Sequence, residues 1–179
     1  MFPIKWNRLT RAFTFYHKNG FEPFEVDWHV PLEIARLTYA GPSHEFEDGV
    51  LIGSAEQGFM YAQRQGLLED KNYVSISPCF RKEDVQSEIH QKYFMKLELY
   101  SPNKKNEDTD LKFAQLARKF MEQETSHDVS LVSTDEGYDL EINGIEVGSY
   151  MSRSVGGMDW TCGTGLAEPR FSMALKAQK

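Results

Sequence analysis

Cysteine is scarce in this chain. Cys79 and Cys162 are its only thiols, too few for a disulfide framework, so a reducing cytoplasm is the expected setting and small buried side chains are the first reading of both. Long apolar runs are missing: no stretch approaches the roughly 18 residues that cross a bilayer. The start, Met1-Phe2-Pro3-Ile4-Lys5-Trp6, has no basic region leading into an apolar stretch, so neither a membrane span nor a secretory signal is expected. Positive charge is in deficit, with 20 Lys and Arg against 27 Asp and Glu and a net charge of -7. A protein that lives on nucleic-acid backbones usually carries the opposite sign, so long-range steering of a polyanion is not expected and a local basic site remains open. Repeats, low-complexity tracts and Pro/Gly/Ser linkers are absent too, and the longest polar stretch, Ser101 to Asp110, reads as one surface loop. With 179 residues, the expectation is a single domain over 1–179.

What is present is aromatic. Phe, Trp and Tyr make up 13% of the chain and hydrophobic residues 40%, enough for a packed core and incompatible with wholesale disorder. Leu9, Phe13 and Tyr16 fall at helical spacing within a segment from Ile4 to Lys18 that Asn19-Gly20 stops. Phe21 to Val30 alternates as a strand ended by Pro31, and Val50 to Gly53 reads as a short buried strand. Ser54 with Gln57 three residues on has the capping-box pattern for a helix to about Gln65. Strands are expected over Asn72–Ser77 and Tyr93–Tyr100, the latter with Phe94, Lys96 and Glu98 on one face and Met95, Leu97 and Leu99 on the other. Phe113, Leu116, Ala117, Phe120 and Met121 make one stripe of a helix from Asp110 to Glu124. Short strands follow at Val129–Val132, Tyr138–Ile142 and Ile145–Tyr150, then Gly163-Thr164-Gly165 and a helix through Phe171 and Leu175. The late strands lack crossovers, so the expected class is α+β, an antiparallel sheet flanked by helices.

Two segments carry candidate chemistry. Arg81 and Glu83 follow Cys79-Phe80 at a strand end, and the returning strand adds Phe94 and Glu98. A guanidinium, a carboxylate and a ring on one face suit a phosphate, an exocyclic amine and a purine; a surface ion pair beside a core phenylalanine is the equal alternative. Gly163-Thr164-Gly165 before Arg170 would let backbone approach a ligand closely, although the spacing matches neither a Walker A loop nor a dinucleotide fingerprint and is by itself a turn.

Taken in order, these segments resemble the motifs of class II aminoacyl-tRNA synthetases. The second motif of that family is matched by Phe80-Arg81-Lys82-Glu83 followed by His90, Phe94 and Glu98, and the third by Gly163, Gly165 and Arg170. His17-Lys18-Asn19-Gly20-Phe21 through Val26 and Pro31 is similar to the first. Leu51-Ile52-Gly53-Ser54-Ala55-Glu56, Asp139-Leu140-Glu141, Glu146-Val147-Gly148-Ser149 and Gly163-Thr164-Gly165-Leu166-Ala167 resemble the seryl branch, and the likeness runs from about Phe13 to Leu175.

The resemblance implies ATP and Mg2+ as cofactors and a role for each matched residue. Arg81 would contact the α-phosphate and stabilise charge as a carboxylate attacks it. Glu83 would accept from the adenine amine, and His90 would touch the γ-phosphate. Phe94 and Arg170 would sandwich the adenine, with Arg170 also reaching the γ-phosphate. Glu146 would ligand magnesium through hard oxygen donors. Glu56, with Ser54, would hold the substrate ammonium. Related amino acid:carrier-protein ligases hold zinc through two cysteines and a glutamate, for which Cys79, Cys162 and Glu141 are the matching set; pocket lining or core is the other reading of the thiols. The implied partners are an amino acid, ATP and an acceptor such as tRNA or a carrier protein, in a homodimer built through the first-motif segment. No anticodon-binding domain or long basic coiled coil is expected within these 179 residues, which weighs against tRNA as the acceptor. The implied activity is ATP-dependent activation of a small amino acid, the alternative being a non-catalytic paralogue that binds a nucleotide or partner.

Overall fold

A computed structural model describes residues 3–82, 91–102 and 108–177 of the chain. Helix α1, Trp6–Lys18, leads through Gly20 (φ +90°) into β1, Phe21–Pro23. A three-stranded antiparallel sheet of β2 (His29–Val30), β4 (Gly49–Leu51) and β3 (Glu45–Phe46) follows, with α2 (Leu32–Ala35) between its first two strands. Then come α3 (Ala55–Arg64), β5 (Asn72–Phe80), β6 (Tyr93–Pro102), α4 (Thr109–Glu124), β7 (Ser130–Ser133), β8 (Gly137–Ile142), β9 (Ile145–Val155), β10 (Met158–Glu168) and α5 (Arg170–Ala174).

The main sheet has seven strands in the order β1-β5-β6-β10-β9-β8-β7. All neighbours are antiparallel except β1 and β5, which pair in parallel from Phe21↔Asn72 to Pro23↔Val74. The α+β class, an antiparallel sheet flanked by helices, is as expected, and the one parallel pair lies at the sheet edge. The expected strand Phe21–Val30 is broken. Its pairing ends after the Phe24 N–H donates to the Val74 carbonyl at 3.0 Å, because the next residues are drawn onto α3. A Cβ on Gly58 would lie 2.7 Å from the Asp27 carbonyl and from Val26 Cβ, so α3 and this segment touch backbone to backbone.

One face of the sheet is covered by α1 and α4. Leu9, Ala12 and Tyr16 meet Phe113, Ala117, Phe120 and Met121 over Val74, Leu97, Leu99 and Leu166, all buried. The stripe read for α4 therefore faces the core, with Leu116 partly buried at its margin. Arg8 crosses from α1 to the fully buried Glu168 at the end of β10 and also reaches Glu124 of α4 at 3.3 Å. On the other face α3 and the small sheet pack over Tyr73, Tyr100 and Trp160, and the Phe59 and Tyr100 rings stack at 4.8 Å.

The largest departure from the sequence reading is β10. Residues 160–169 are buried almost throughout, so the strand shows no alternation of apolar and polar residues, and its two glycines lower its strand propensity. It sits between β6 and β9 and forms the floor of the cleft. A two-residue turn at Gly156-Gly157, with φ of +62° and +78°, joins β9 to β10, and β9 runs on to Val155 rather than stopping at Tyr150.

Candidate active site

Period two along a strand puts Phe94, Lys96 and Glu98 of β6 on the face opposite Leu97 and Leu99. Antiparallel register then sets Thr164 of β10 beside Glu98, and Met151 of β9 beside Cys162. The N-terminal turn of α3 closes over this floor. The result is a cleft of about 620 Å3 lined by Ser54, Glu56, Arg81, Phe94, Lys96, Glu98, Glu146, Ser149, Met151, Arg153, Cys162, Thr164 and Arg170, among others.

At one end the Arg81 guanidinium carbon lies 5.3 Å from the centroid of the Phe94 ring, a cation–π contact. Its Nε donates to the Gly53 carbonyl at 3.4 Å, and its backbone N–H donates to Lys92 at 2.9 Å, which fixes the chain as it leaves β5. Arg170, the first residue of α5, donates to Glu146 Oε1 at 3.3 Å. Register brings this second pair to the same end, because Glu168, two residues before Arg170, stands beside Met95, the neighbour of Phe94.

The other end is more enclosed. Ser54 is the N-cap residue of α3, but its hydroxyl caps nothing; it donates to Glu98 Oε2 at 2.5 Å. Gln57 likewise departs from the capping box, its Oε1 accepting from the Gly53 N–H at 2.8 Å. Lys96 donates to Glu98 Oε1 at 2.8 Å and to the Ser54 hydroxyl at 3.3 Å. Burial pulls the Lys96 ammonium down, but the Glu98 charge, the ionisable Cys79 and the Glu98 hydrogen bond outweigh it, so the net shift is upward. Glu56, 8% exposed, accepts at Oε1 from the Trp160 indole N–H at 2.8 Å and from the Cys162 thiol at 3.1 Å. Arg153 Nε stands 4.0 Å from the same oxygen. Burial, then the charges of Glu56 and Glu98, push the Cys162 thiol well above its ordinary value, so it is a neutral donor here.

Of the residues proposed from sequence, Ser54, Glu56, Arg81, Phe94, Glu146, Cys162 and Arg170 line this one cleft. Glu83 and His90 lie outside the described residues. Cys79 and Glu141 do not line it. The zinc set is not assembled: among the described residues no group of three His, Cys, Asp or Glu side chains is placed to hold a metal. The register gives the reason. Cys79 pairs with Phe94 and Cys162 with Tyr100 along the same strand β6, and that separation corresponds to about 20 Å at the usual rise per residue, far beyond a shared Zn–S shell. Cys79 is fully buried, which raises its thiol to about 12, and Glu141 pairs with Ser130 and Glu146 on the other side of the sheet centre.

Sequence reasoning gave no role to Lys96, Arg153, Trp160 or Thr164, and it named Glu98 only as part of the second-motif match. For Lys96 and Glu98 the signal was present in the period-two spacing from Phe94. Arg153 and Trp160 face each other across the β9–β10 hairpin, and Gly156-Gly157 was the sequence mark of that turn.

No family model matches the chain, and no curated protein matches it by sequence. Solved structures do match. Two structures of pyrrolysyl-tRNA synthetase from Desulfitobacterium hafniense superpose with TM-scores of 0.75 and 0.74, each at 16% identity, over 94% of this chain and 67% and 68% of theirs. Seryl-tRNA synthetase from Pyrococcus horikoshii, solved with ATP, superposes with a TM-score of 0.73 at 20% identity, over 96% of this chain and 51% of that one. The fold is that of a class II aminoacyl-tRNA synthetase catalytic core. The chain thus spans two thirds of the pyrrolysyl structures and half of the seryl one, and the seven-stranded sheet with its flanking helices is the part they share in architecture.

Proposed function

We propose that this class II core activates a small amino acid with ATP, giving an aminoacyl-adenylate and pyrophosphate, and then passes the acyl group to tRNA or another acceptor. The observation that supports it most directly is the division of the cleft into two ends. Arg81, Phe94, Glu146 and Arg170 gather at one end, and the enclosed carboxylate Glu56 stands near the other.

In this reading a substrate carboxylate oxygen attacks the α-phosphorus, and the bond to the pyrophosphate oxygen breaks. No side chain is a nucleophile; the protein positions the groups and stabilises developing charge. Arg81 serves the α-phosphate. Phe94 and Arg170 hold the adenine, with Glu83 and His90 as the residues matched to its amine and to the γ-phosphate. Glu146, a half-exposed carboxylate on the cleft wall, fits magnesium, which is typically held by one or two carboxylates and the substrate phosphates. Bound there, the ion would neutralise phosphate charge. Glu56 takes the substrate ammonium. Ser54 acts through Glu98 rather than on the amine. The apolar surface around Trp28 and Phe46, each about half exposed, lies in and beside the first-motif segment and favours a homodimer formed there.

Amino-acid-dependent ATP–pyrophosphate exchange across all twenty amino acids tests the reading. Exchange with one or a few of them, lost in Arg81→Ala and Arg170→Ala, upholds it. ATP binding without exchange for any of them favours the non-catalytic paralogue.

A further inference from the structure

We propose that Arg153 sets substrate specificity and that the amino acid taken by this cleft has an anionic side chain, as aspartate and glutamate do. The proposal rests on the activation reading above and names its substrate class.

Charge and position both single out Arg153. Lys96 and Glu98 satisfy each other at 2.8 Å, and Ser54 takes the second Glu98 oxygen, so this pair is closed and offers no net charge. Glu56 accepts at one oxygen from two neutral donors, the Trp160 indole and the Cys162 thiol, and is the carboxylate the activation reading gives to the substrate ammonium. That leaves Arg153. Its Nε points at the Met151 thioether at 2.9 Å, a weak acceptor. Among the described residues its ion pairs are Glu56 at 4.0 Å and the exposed Glu136 at 3.8 Å, both longer than hydrogen bonds. A guanidinium lining a cleft with only distant carboxylates is set to receive one, because its planar fork matches a carboxylate with two parallel hydrogen bonds.

Position along the strands agrees. Glu98 is in register with Thr164, Met151 with Cys162, and Arg153 with Trp160, so Arg153 stands at the end of the floor farthest from Phe94. A substrate with its reacting carboxylate toward Arg81 and its ammonium on Glu56 sends its side chain past Met151 toward this guanidinium. With a carboxylate there, each enclosed charge at this end has a partner: ammonium on Glu56, side chain on Arg153, Lys96 on Glu98, while Glu136, 76% exposed, is left to solvent. A neutral side chain would leave Arg153 with its two long contacts.

The test compares aspartate, glutamate, asparagine, glutamine, serine and alanine in pyrophosphate exchange, alongside calorimetric binding of the same six without ATP. The expected result is a preference of roughly 100-fold in kcat/KM for an acid over its own amide. That ratio should collapse toward unity in Arg153→Gln and be partly kept in Arg153→Lys, which supplies charge without the fork. Unchanged thermal melting of Arg153→Gln would show that the ratio reports recognition and not folding. Best exchange with a neutral amino acid overturns the proposal. So does an Arg153→Gln variant that slows every substrate equally, since Arg153 would then only be neutralising Glu56. If none of the twenty amino acids supports exchange, the activation reading fails by itself; binding of an acidic amino acid weakened by Arg153→Gln would still uphold this inference, and no binding would overturn it.

Discussion

The Tyr150 ring occupies the space beside Gly163: a Cβ at Gly163 would lie 2.2 Å from Tyr150 Cδ1, and the Tyr150 hydroxyl donates to the adjacent Thr164 carbonyl at 2.6 Å. Gly165 repeats the relationship on the same strand. A Cβ there would stand 2.3 Å from Leu97 Cδ2, and Tyr16 donates to the Gly165 carbonyl at 2.8 Å. The glycines therefore admit core rings and a core leucine, while Cys162 and Thr164 face the cleft. Their role is packing, not close approach of backbone to a ligand. Gly163→Ala should destabilise the chain by about 1–3 kcal/mol through overpacking, lowering the melting temperature by roughly 2–4 °C per kcal/mol at this chain length. Urea denaturation of the variant reads this directly, and a loss under about 0.5 kcal/mol would show that Tyr150 moves aside freely.

Lys96 and Glu98 make a second stability prediction. Removing one member of an enclosed ion pair leaves the other charge without compensation, at a cost of about 3–5 kcal/mol. Both side chains are nearly buried, 13% and 2% exposed, so Lys96→Met should fall in that range. Replacing both, as Lys96→Met with Glu98→Leu, should recover much of the loss, because the desolvation of both charges disappears together. Equal losses in the single and double variants, measured by denaturant titration, would mean that the pair is not coupled.

How far the sequence led can be seen from these same residues. The α4 stripe and the two faces of β6 were legible because each packs against solvent on one side or has one polar face, and a single face leaves a clean period. β10 was not, because a central strand covered on both sides has no period to read, and its glycines mimic a loop. The candidate site followed that division. Arg81, Phe94, Glu146 and Arg170 stand in recognisable motif order, whereas Arg153 and Trp160 meet only through a hairpin whose second strand was not anticipated. The zinc set failed because adjacency to two motifs does not measure distance along a shared neighbouring strand.

Alkaline pH should weaken the fold. Burial raises the Cys79 thiol to about 12 against an ordinary 9.0, and it raises Tyr16 and Tyr150 as well. In each case the folded state holds a proton that the unfolded chain releases, so the stabilisation is full below the unfolded pKa and is lost as pH climbs through the folded one. For Cys79 the window is pH 9 to about 12. Lys96, also shifted upward, acts with the same sign from its ordinary 10.5. Denaturation midpoints measured from pH 7 to 11 should fall steadily above pH 9, and both thiols should resist alkylation at pH 8 until the chain is unfolded. A midpoint that holds or rises across that range, or rapid native-state labelling of Cys162, would contradict this account.

Phe94 and Arg81 touch, yet their variants should fail differently. Base–aromatic stacking is worth about 1–3 kcal/mol by alanine substitution, and that interaction exists in the ground state as much as in the transition state. Phe94→Ala should therefore raise the KM for ATP by roughly 10- to 100-fold with little change in kcat. Arg81 would meet charge that grows as the phosphorus is attacked, and loss of such a donor costs about 100- to 1000-fold in kcat. Arg81→Ala should thus appear mainly in kcat. The split is read from exchange rates over an ATP series, with ATP binding by calorimetry as an independent measure for Phe94→Ala. Unchanged ATP affinity in Phe94→Ala would place the ring in the core alone, and equal effects of the two variants on KM would assign Arg81 to holding the nucleotide and not to stabilising its reaction.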